Sequence, residues 1–594
     1  MRPEPGYRLD HAIATTYSLD LLAMLAAPLA FSAFAEADAA DVDPLVLLES
    51  LRASAERITL FCDAGRIYVP PANRPLLAHL EGSVVECVAP LGGAFHPKIW
   101  LLRFVGQDDV RFRFLCLSRN LTFDRSWDTA LVLDGRPGRR TRSANRPLAE
   151  FVGALPGMSP RPPRGARAEA IERIAADVLK VEWELPEPFA ELAFRPLGHR
   201  GRRSPWPFGE ARVDRMLVVA PFVSTSMLED LSARGSGHVI VSRADRLDLC
   251  APDSLSGYER SYVLDDGASD DGEDSASAAM MRGLHAKFFV ADQGREATVW
   301  TGSANATASA FERNVEFMVE MRGRKVDVGV GSVLKAGERS EVSFVDLLSP
   351  YQRGEGPDSE VEDERALERE ADRLRRELTQ GGMRLRAIPG AAEDVWDLAV
   401  ESTRPHEKAP SLRSLEVWPI TRARQAAARP VDLALVGEVA RFGSLPAELL
   451  TPFLACRIVL AREETTLDQE FVLALDLLDE PPGRRARILR SLLSNRGDVL
   501  RYLLYLLSGD PTEALRTLTR AGGEVDGSRT GVGTPALPLM ESLLRTLDRD
   551  PERLSAVSRI VAELEASEGG ESLLPDGWET IWEPVRALVD RSGK

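Results

Sequence analysis

A chain of 594 residues is too long for one hydrophobic core and is expected to divide into two to four domains. Its formal net charge of −17 favours solubility and opposes indiscriminate binding to phosphate backbones, so an anionic substrate has to be captured by local features. The five widely spaced cysteines include no C-x-x-C pair and no Cys/His cluster at metal-ligand spacing, which fits a reducing compartment, with neither a metal nor another cofactor expected.

In chain order, "HAIATTYSLD" reads as a strand and "LLAMLAAPLAFSAFAEA" as a buried helix. That apolar run is too short to span a bilayer, Asp20 directly precedes it, and no basic cluster stands before it. The expectation is a cytoplasmic protein that does not engage a membrane. "RITLFCDAG" supplies the next strand, followed by "FHPKIWLLRF", "RFRFLCLSRNLT" and "WDTALVLDG". From about residue 206 the same succession returns. "RMLVVAPFVSTSMLEDL" and "HVIVSRAD" read as strand, helix, strand, and then come "LHAKFFVAD", "ATVWTGSANAT" and "VEFMVEMRG". The fold class is therefore α/β, with residues 1–150 and 206–350 as two halves and 151–205 as an Arg/Pro-rich linker or insertion.

The repeat carries its chemistry at matching positions. His96 and Lys98 are followed by Ser118, Asn120 and Asp128; His285 and Lys287 are followed by Ser303, Asn305 and Glu316. Residues at i and i+2 of a strand share a face, so each H-x-K presents an imidazole beside an ammonium. Lysine is scarce: Lys98, Lys180, Lys287, Lys325, Lys335, Lys408 and Lys594 are all there are, and two of them fall at equivalent repeat positions. Two lysines, two asparagine amides and two serine hydroxyls converging on one point would cradle a tetrahedral anion. Two histidines supply phosphodiester cleavage without a metal, one attacking phosphorus and the other serving as acid and then base. Asp128 and Glu316 suit the role of holding the imidazole tautomers.

"HAKFFVAD" followed by "GSAN" resembles the HKD motif of the phospholipase D superfamily. The first copy departs from it, with Arg103 at the aspartate position and Leu117 at the glycine, and its H-x-K plus Asn form resembles tyrosyl-DNA phosphodiesterases. The resemblance covers roughly residues 8–350 and implies two phospholipase D-like repeats, mixed sheets flanked by helices, sharing one active site. It further implies that His96 is the nucleophile, His285 the acid and Asp292 a structural residue.

Between the halves, residues 135–215 carry sixteen Lys/Arg against ten Asp/Glu, a local +6. Either this is a linker with codon-driven arginine, or it is a phosphate track including Arg200, Arg202 and Arg203, with Trp206 and Phe208 for stacking. Residues 264–278 read as an acidic loop that is either a solubilising insertion or an autoinhibitory plug. Beyond them come a charged helix at 351–380 with Leu367, Ala371, Leu374 and Leu378 on one stripe, a β-rich domain at 381–480 and a helical region at 481–594. The function expected is a phosphodiesterase acting on nucleic acid, DNA before RNA, in bacterial defence or repair, with a helicase or other defence protein as a partner. The alternatives are a phospholipid phosphodiesterase and an inactive nucleic-acid-binding scaffold.

Overall fold

Each repeat builds one mixed sheet. In the first, β1 (Arg8–Thr16), β2 (Ile58–Asp63) and β3 (Val84–Cys87) pair in parallel, and β4 (Ile99–Val105), β5 (Val110–Leu117) and β6 (Ala130–Pro137) follow antiparallel. In the second, β9 (Arg215–Val219), β10 (His238–Val241) and β11 (Tyr258–Leu264) are parallel, and β12 (Phe288–Gln293), β13 (Glu296–Gly302) and β14 (Glu316–Arg324) antiparallel. The strand orders β3-β2-β1-β4-β5-β6 and β11-β10-β9-β12-β13-β14 correspond one to one. Strands β2, β3 and β10 are buried at every residue, as expected of parallel strands covered on both faces. This computed structural model describes Arg52 and residues 3–25, 55–264, 283–336, 343–354, 359–507, 536–549, 552–565, 571–575 and 578–592, apart from positions 5, 72–74, 124, 125, 393 and 494. All but the first residue of the acidic loop expected at 264–278, and most of the expected helix after Asp20, lie outside them.

The stretch read as a linker is woven into both halves. It supplies β7 (Val181–Trp183) to the edge of the first sheet, β8 (Glu191–Leu197) to the edge of the second beside β14, and a helix, Ala166–Val178. That helix buries Ile171, Ile174 and Val178 in the core where the two sheets meet, with Phe112, Phe114, Phe194, Phe317 and Val319. Arginine-rich composition hid this apolar face. Many of the arginines have structural tasks: Arg167 donates to the Ala55 carbonyl at 2.9 Å, Arg173 pairs with Asp10 at 3.2 Å and Arg195 with Glu320 at 2.8 Å.

β15 (Leu348–Pro350) closes the second sheet, and the chain enters the helix Ser359–Gln380, whose Leu367, Ala371, Leu374 and Leu378 are all buried. Strands β16 (Met383–Pro389), β17 (Val395–Ser402), β18 (Leu412–Pro419), β19 (Arg429–Pro430), β20 (Gly437–Pro446), β21 (Phe453–Arg462), β22 (Thr465–Ala474) and β23 (Leu477–Leu478) then form two four-stranded sheets, β20-β17-β16-β23 and β19-β18-β21-β22. This β-rich module shares a continuous core with the first repeat. Leu9, Leu60 and Leu102 lie in one cluster with Leu374, Leu385, Val400 and Phe471, and the Val472 amide donates to the Ile67 carbonyl at 2.8 Å. The helices from Arg484 onward have their own core around Tyr502, Leu543, Ile560 and Trp582, tied back where Arg484 meets Glu81 at 2.8 Å.

Candidate active site

The two H-x-K segments sit just ahead of β4 and β12, outside the strands that the spacing suggests, and each is paired with the opposite half. The His96 amide donates to the Val315 carbonyl at 2.8 Å and Val315 to Ala94 at 2.9 Å; the His285 amide donates to the Trp127 carbonyl at 2.9 Å and Trp127 to Gly283 at 3.1 Å. Val315 precedes Glu316, and Trp127 precedes Asp128. The crossed pairing therefore gives each histidine the carboxylate of the other repeat: His96 Nδ1 lies 2.8 Å from Glu316 Oε2, and His285 Nδ1 lies 3.1 Å from Asp128 Oδ1. An ionised carboxylate only accepts, so each Nδ1 carries the proton and each Nε2 keeps the role left to chemistry.

The lysines are 1 % exposed, and each Nζ donates to the carbonyl of its own histidine, Lys98 to His96 at 2.9 Å and Lys287 to His285 at 2.7 Å. Burial depresses both ammonium groups, Lys98 well below the usual lysine range and Lys287 to about 7, and for Lys98 the charge of Lys287 adds to the effect. Burial likewise lowers His96 to about 4, against the upward pull of Glu316, and lowers His285 against the hydrogen bond of Asp128. Lys98 and Lys287 contribute to the fields at both imidazoles, so the four groups occupy one electrostatic neighbourhood. An anionic phosphodiester among them would restore the charges that burial suppresses.

The serines were expected in the anion cradle, and the structure places them behind it. Ser118 Oγ donates to Asp128 Oδ1 at 3.0 Å and accepts the Thr129 amide; Ser303 Oγ donates to Glu316 Oε2 at 2.5 Å and accepts the Phe317 amide. They set the carboxylates that set the histidines. These interactions hold both carboxylates down although burial pushes each up: His285, Ser126 and Ser118 act on Asp128, and His96, Lys98 and Ser303 on Glu316. Asn120 and Asn305 each keep a buried side-chain oxygen without a hydrogen-bond partner among the described residues, the same orphan in both halves. Amide oxygen and nitrogen are interchangeable by rotation, so both side chains have a donor to offer an incoming phosphoryl oxygen.

Residue types alone did not single out Ser126, Asn314 or Tyr17. Ser126 Oγ donates to Asp128 Oδ2 at 2.9 Å and Asn314 Nδ2 to Glu316 Oε1 at 3.0 Å, each from two residues ahead of its carboxylate. A polar residue at that position in both repeats was the available signal. Tyr17 packs its ring on His96 at 5.0 Å between centroids.

The two departures from the motif are structural. Arg103 pairs with Asp10 at 2.8 Å and Asp177 at 3.1 Å, tying β4 to β1 and to the helix behind it. Its counterpart Asp292 is buried, accepts the Val330 amide at 3.0 Å and faces Lys325 at 3.7 Å. Asp292→Asn keeps the acceptor and loses only the ion pair. It should cost about 1 kcal/mol or less in unfolding experiments and leave turnover within about threefold; a collapse of activity with stability intact would give Asp292 a direct part in chemistry. At Gly302 φ is +149° and a Cβ would lie 2.2 Å from the Phe317 carbonyl oxygen, whereas the first repeat carries Leu117 there as the last residue of β5.

The arginine track is largely occupied. Arg200 is ion-paired with Glu150, Arg203 lies 3.0 Å from Glu312, and Arg202 is exposed without an ion pair among the described residues. Trp206 and Phe208 are not free to stack on bases, because they pack against Phe311, Phe289 and Trp300.

Residues 230–328 match the family model described as "Cardiolipin synthase, PLD-like domain". Those residues, within the second repeat, carry a phospholipase D-like domain. The first repeat has the same strand order, β3-β2-β1-β4-β5-β6 beside β11-β10-β9-β12-β13-β14, and so supplies the counterpart of that domain. Among solved structures, a mutant of yeast tyrosyl-DNA phosphodiesterase aligns at 11 % identity over 55 % of this chain and 84 % of its own, with a TM-score of 0.31. Polyphosphate kinase from Porphyromonas gingivalis aligns at 12 % identity over 62 % of this chain and 50 % of its own, with a TM-score of 0.29. No curated protein matches. Among the described residues, no helix is long and apolar enough to cross a membrane.

Proposed function

We propose that this phospholipase D-like protein hydrolyses phosphodiester bonds of nucleic acids through a phosphohistidine. The observation that carries the reading is the crossed arrangement, in which each imidazole is oriented by the other repeat's carboxylate beside a buried lysine. His96 Nε2 attacks phosphorus and the bond to the leaving oxygen breaks, while that oxygen takes a proton from His285. Water, deprotonated by His285, then attacks phosphorus, the P–N bond breaks, and a phosphomonoester leaves. The His96 side chain is 13 % exposed and that of His285 is 26 %, so the more buried ring is the one held neutral for attack and the more open one the better placed to exchange protons with water. Both lysines and both asparagines surround the point where charge develops.

A nucleic-acid substrate is supported by the flanks of the site. Phe123, at 63 % exposure, and Trp127, at 41 %, offer aromatic faces close in sequence to Asn120 and Asp128, where neighbouring bases can stack. Both site carboxylates are already engaged by an imidazole and by hydroxyl or amide donors, which leaves no free anionic pair for a divalent ion. Cleavage of a labelled single-stranded oligonucleotide should therefore survive EDTA. Loss with EDTA and recovery with magnesium would overturn the mechanism, and turnover of phospholipid vesicles in place of oligonucleotides would overturn the substrate.

A further inference from the structure

A cavity of about 330 Å³ opens where the first repeat, the helix Ser359–Gln380 and the loop ahead of β18 meet. Its first-repeat wall is the segment around Pro90 and Gly92, four residues short of His96. Its other walls present three cations, Arg373, Arg376 and Lys408, and none of them has an ion-pair partner among the described residues. Lys408 is one of only seven lysines in the chain. Three carboxylates also line the cavity, but two are committed elsewhere: Glu370 accepts the Ser411 amide at 2.8 Å, and Glu377 lies 3.0 Å from Arg404 and 3.5 Å from His406. Glu370 keeps its charge when it accepts an amide and Glu377 is balanced by Arg404, so three cations face the carboxylates of Glu370 and Glu407, a local excess of one positive charge in a chain whose net charge is −17.

One further feature extends this cavity along the same wall. A Cβ added at Gly201 would lie 3.6 Å from Pro90 Cβ, which brings the loop of exposed Arg202 against it.

We infer that this cavity is a phosphate subsite that holds the backbone of the nucleic-acid strand a few nucleotides from the bond being cleaved. The inference rests on the nucleic-acid reading above and gives the helix and the β-rich module a task in substrate capture. The shared chemistry is a phosphate group, and it could also come from a free nucleotide; the strand is favoured because the cavity, the Arg202 loop and the His96 segment adjoin one another.

The test compares single-stranded oligonucleotides of increasing length with a small chromogenic phosphodiester that reaches only the catalytic groups. For the wild type, kcat/KM should rise with length until the strand spans the cavity. Arg373→Gln/Arg376→Gln/Lys408→Gln should abolish most of that rise and lower the log–log salt slope by about 0.7 for each phosphate that is no longer held, while chromogenic turnover stays within about twofold. Arg373→Gln/Lys408→Gln, confined to exposed side chains, should show a smaller effect of the same kind and guards against misfolding of the triple variant. An unchanged length dependence overturns the subsite, as does an equal loss on both substrates, which would make the cations supports of the fold. If ATP alters chromogenic turnover in the wild type but not in the variants, and the length series is untouched, the cavity takes a free nucleotide and the strand is excluded. A wild type that turns over the chromogenic diester but neither binds nor cleaves any oligonucleotide removes the nucleic-acid reading itself, and the subsite with it.

Discussion

Replacing either His96 or His285 with alanine is expected to lower kcat/KM on an oligonucleotide by on the order of 10⁴-fold, and replacing both is expected to cost little more than either alone. On the proposed mechanism the imidazoles work on one phosphorus, since each is oriented from the opposite repeat and each lies in the field of both lysines. Removing one leaves the other with nothing to complete. A double variant far worse than the singles would mean two independent sites, which the crossed pairing of Phe95 with Val315 and of Trp127 with Leu284 does not provide. The two variants should part on a substrate with a good leaving group. A nitrophenolate departs with little protonation, so His285→Ala should recover on it by about 10²-fold or more, whereas His96→Ala, lacking the nucleophile, should not. In His285→Ala the covalent intermediate should also accumulate, because no base activates water. Acid-labile phosphate mapped to the peptide containing His96 is the expected outcome; the same label on His285 would reverse the roles.

The chemical groups of this site were legible because they occur twice. One H-x-K would read as a buried histidine beside a lysine, but a second copy, followed in the same order by S-x-N and a carboxylate, needs a shared reason. What the sequence does not reveal is the crossing. Asp128 stands 10 residues after Ser118 in the same repeat and Glu316 stands 13 after Ser303, so local order suggests that each repeat supports its own histidine. The partners are instead chosen by pairing between segments 157 and 220 residues apart, which no local periodicity encodes. The serines were misread for a related reason. A hydroxyl next to an anion site looks like a donor to that anion until the carboxylate that already uses it is placed. Similarly, the alternation in "FLACRIVLA" is visible as a strand, yet its burial in one core with residues of β1 and β2 depends on both faces of that first sheet being apolar, a property shared between distant segments.

Glu316→Gln should be nearly as damaging as loss of His96, lowering turnover by on the order of 10³-fold on every substrate, including those with good leaving groups. Glu316 is fully buried, and both its oxygens face donors: His96 Nδ1 at 2.8 Å and Ser303 Oγ at 2.5 Å on one, Asn314 Nδ2 at 3.0 Å on the other. A glutamine has to turn its NH₂ toward one of these. Toward Asn314 it meets a second NH₂, which cannot rotate away without losing the bond that Asn314 Oδ1 accepts from the Ala94 amide at 3.0 Å. Toward His96 it donates to Nδ1, so the ring's proton moves to Nε2 and the lone pair that attacks phosphorus is gone; the same exchange of tautomer underlies losses of about 10⁴-fold when the carboxylate of a Ser-His-Asp triad becomes an amide. Asp128→Asn should behave differently. Its side chain is 17 % exposed, and its outer oxygen faces the Ser126 hydroxyl, which can rotate to accept from an NH₂, so His285 can keep its tautomer. What it loses is the negative charge that stabilises the imidazolium, a loss that matters where the leaving oxygen needs a proton. Kinetics of the two variants on matched esters of poor and good leaving groups should show Asp128→Asn losing about 10²-fold on the first and little on the second. Equal damage by both variants on the good leaving group would mean that the two carboxylates do not divide the labour, and that His96 and His285 are not held to separate roles.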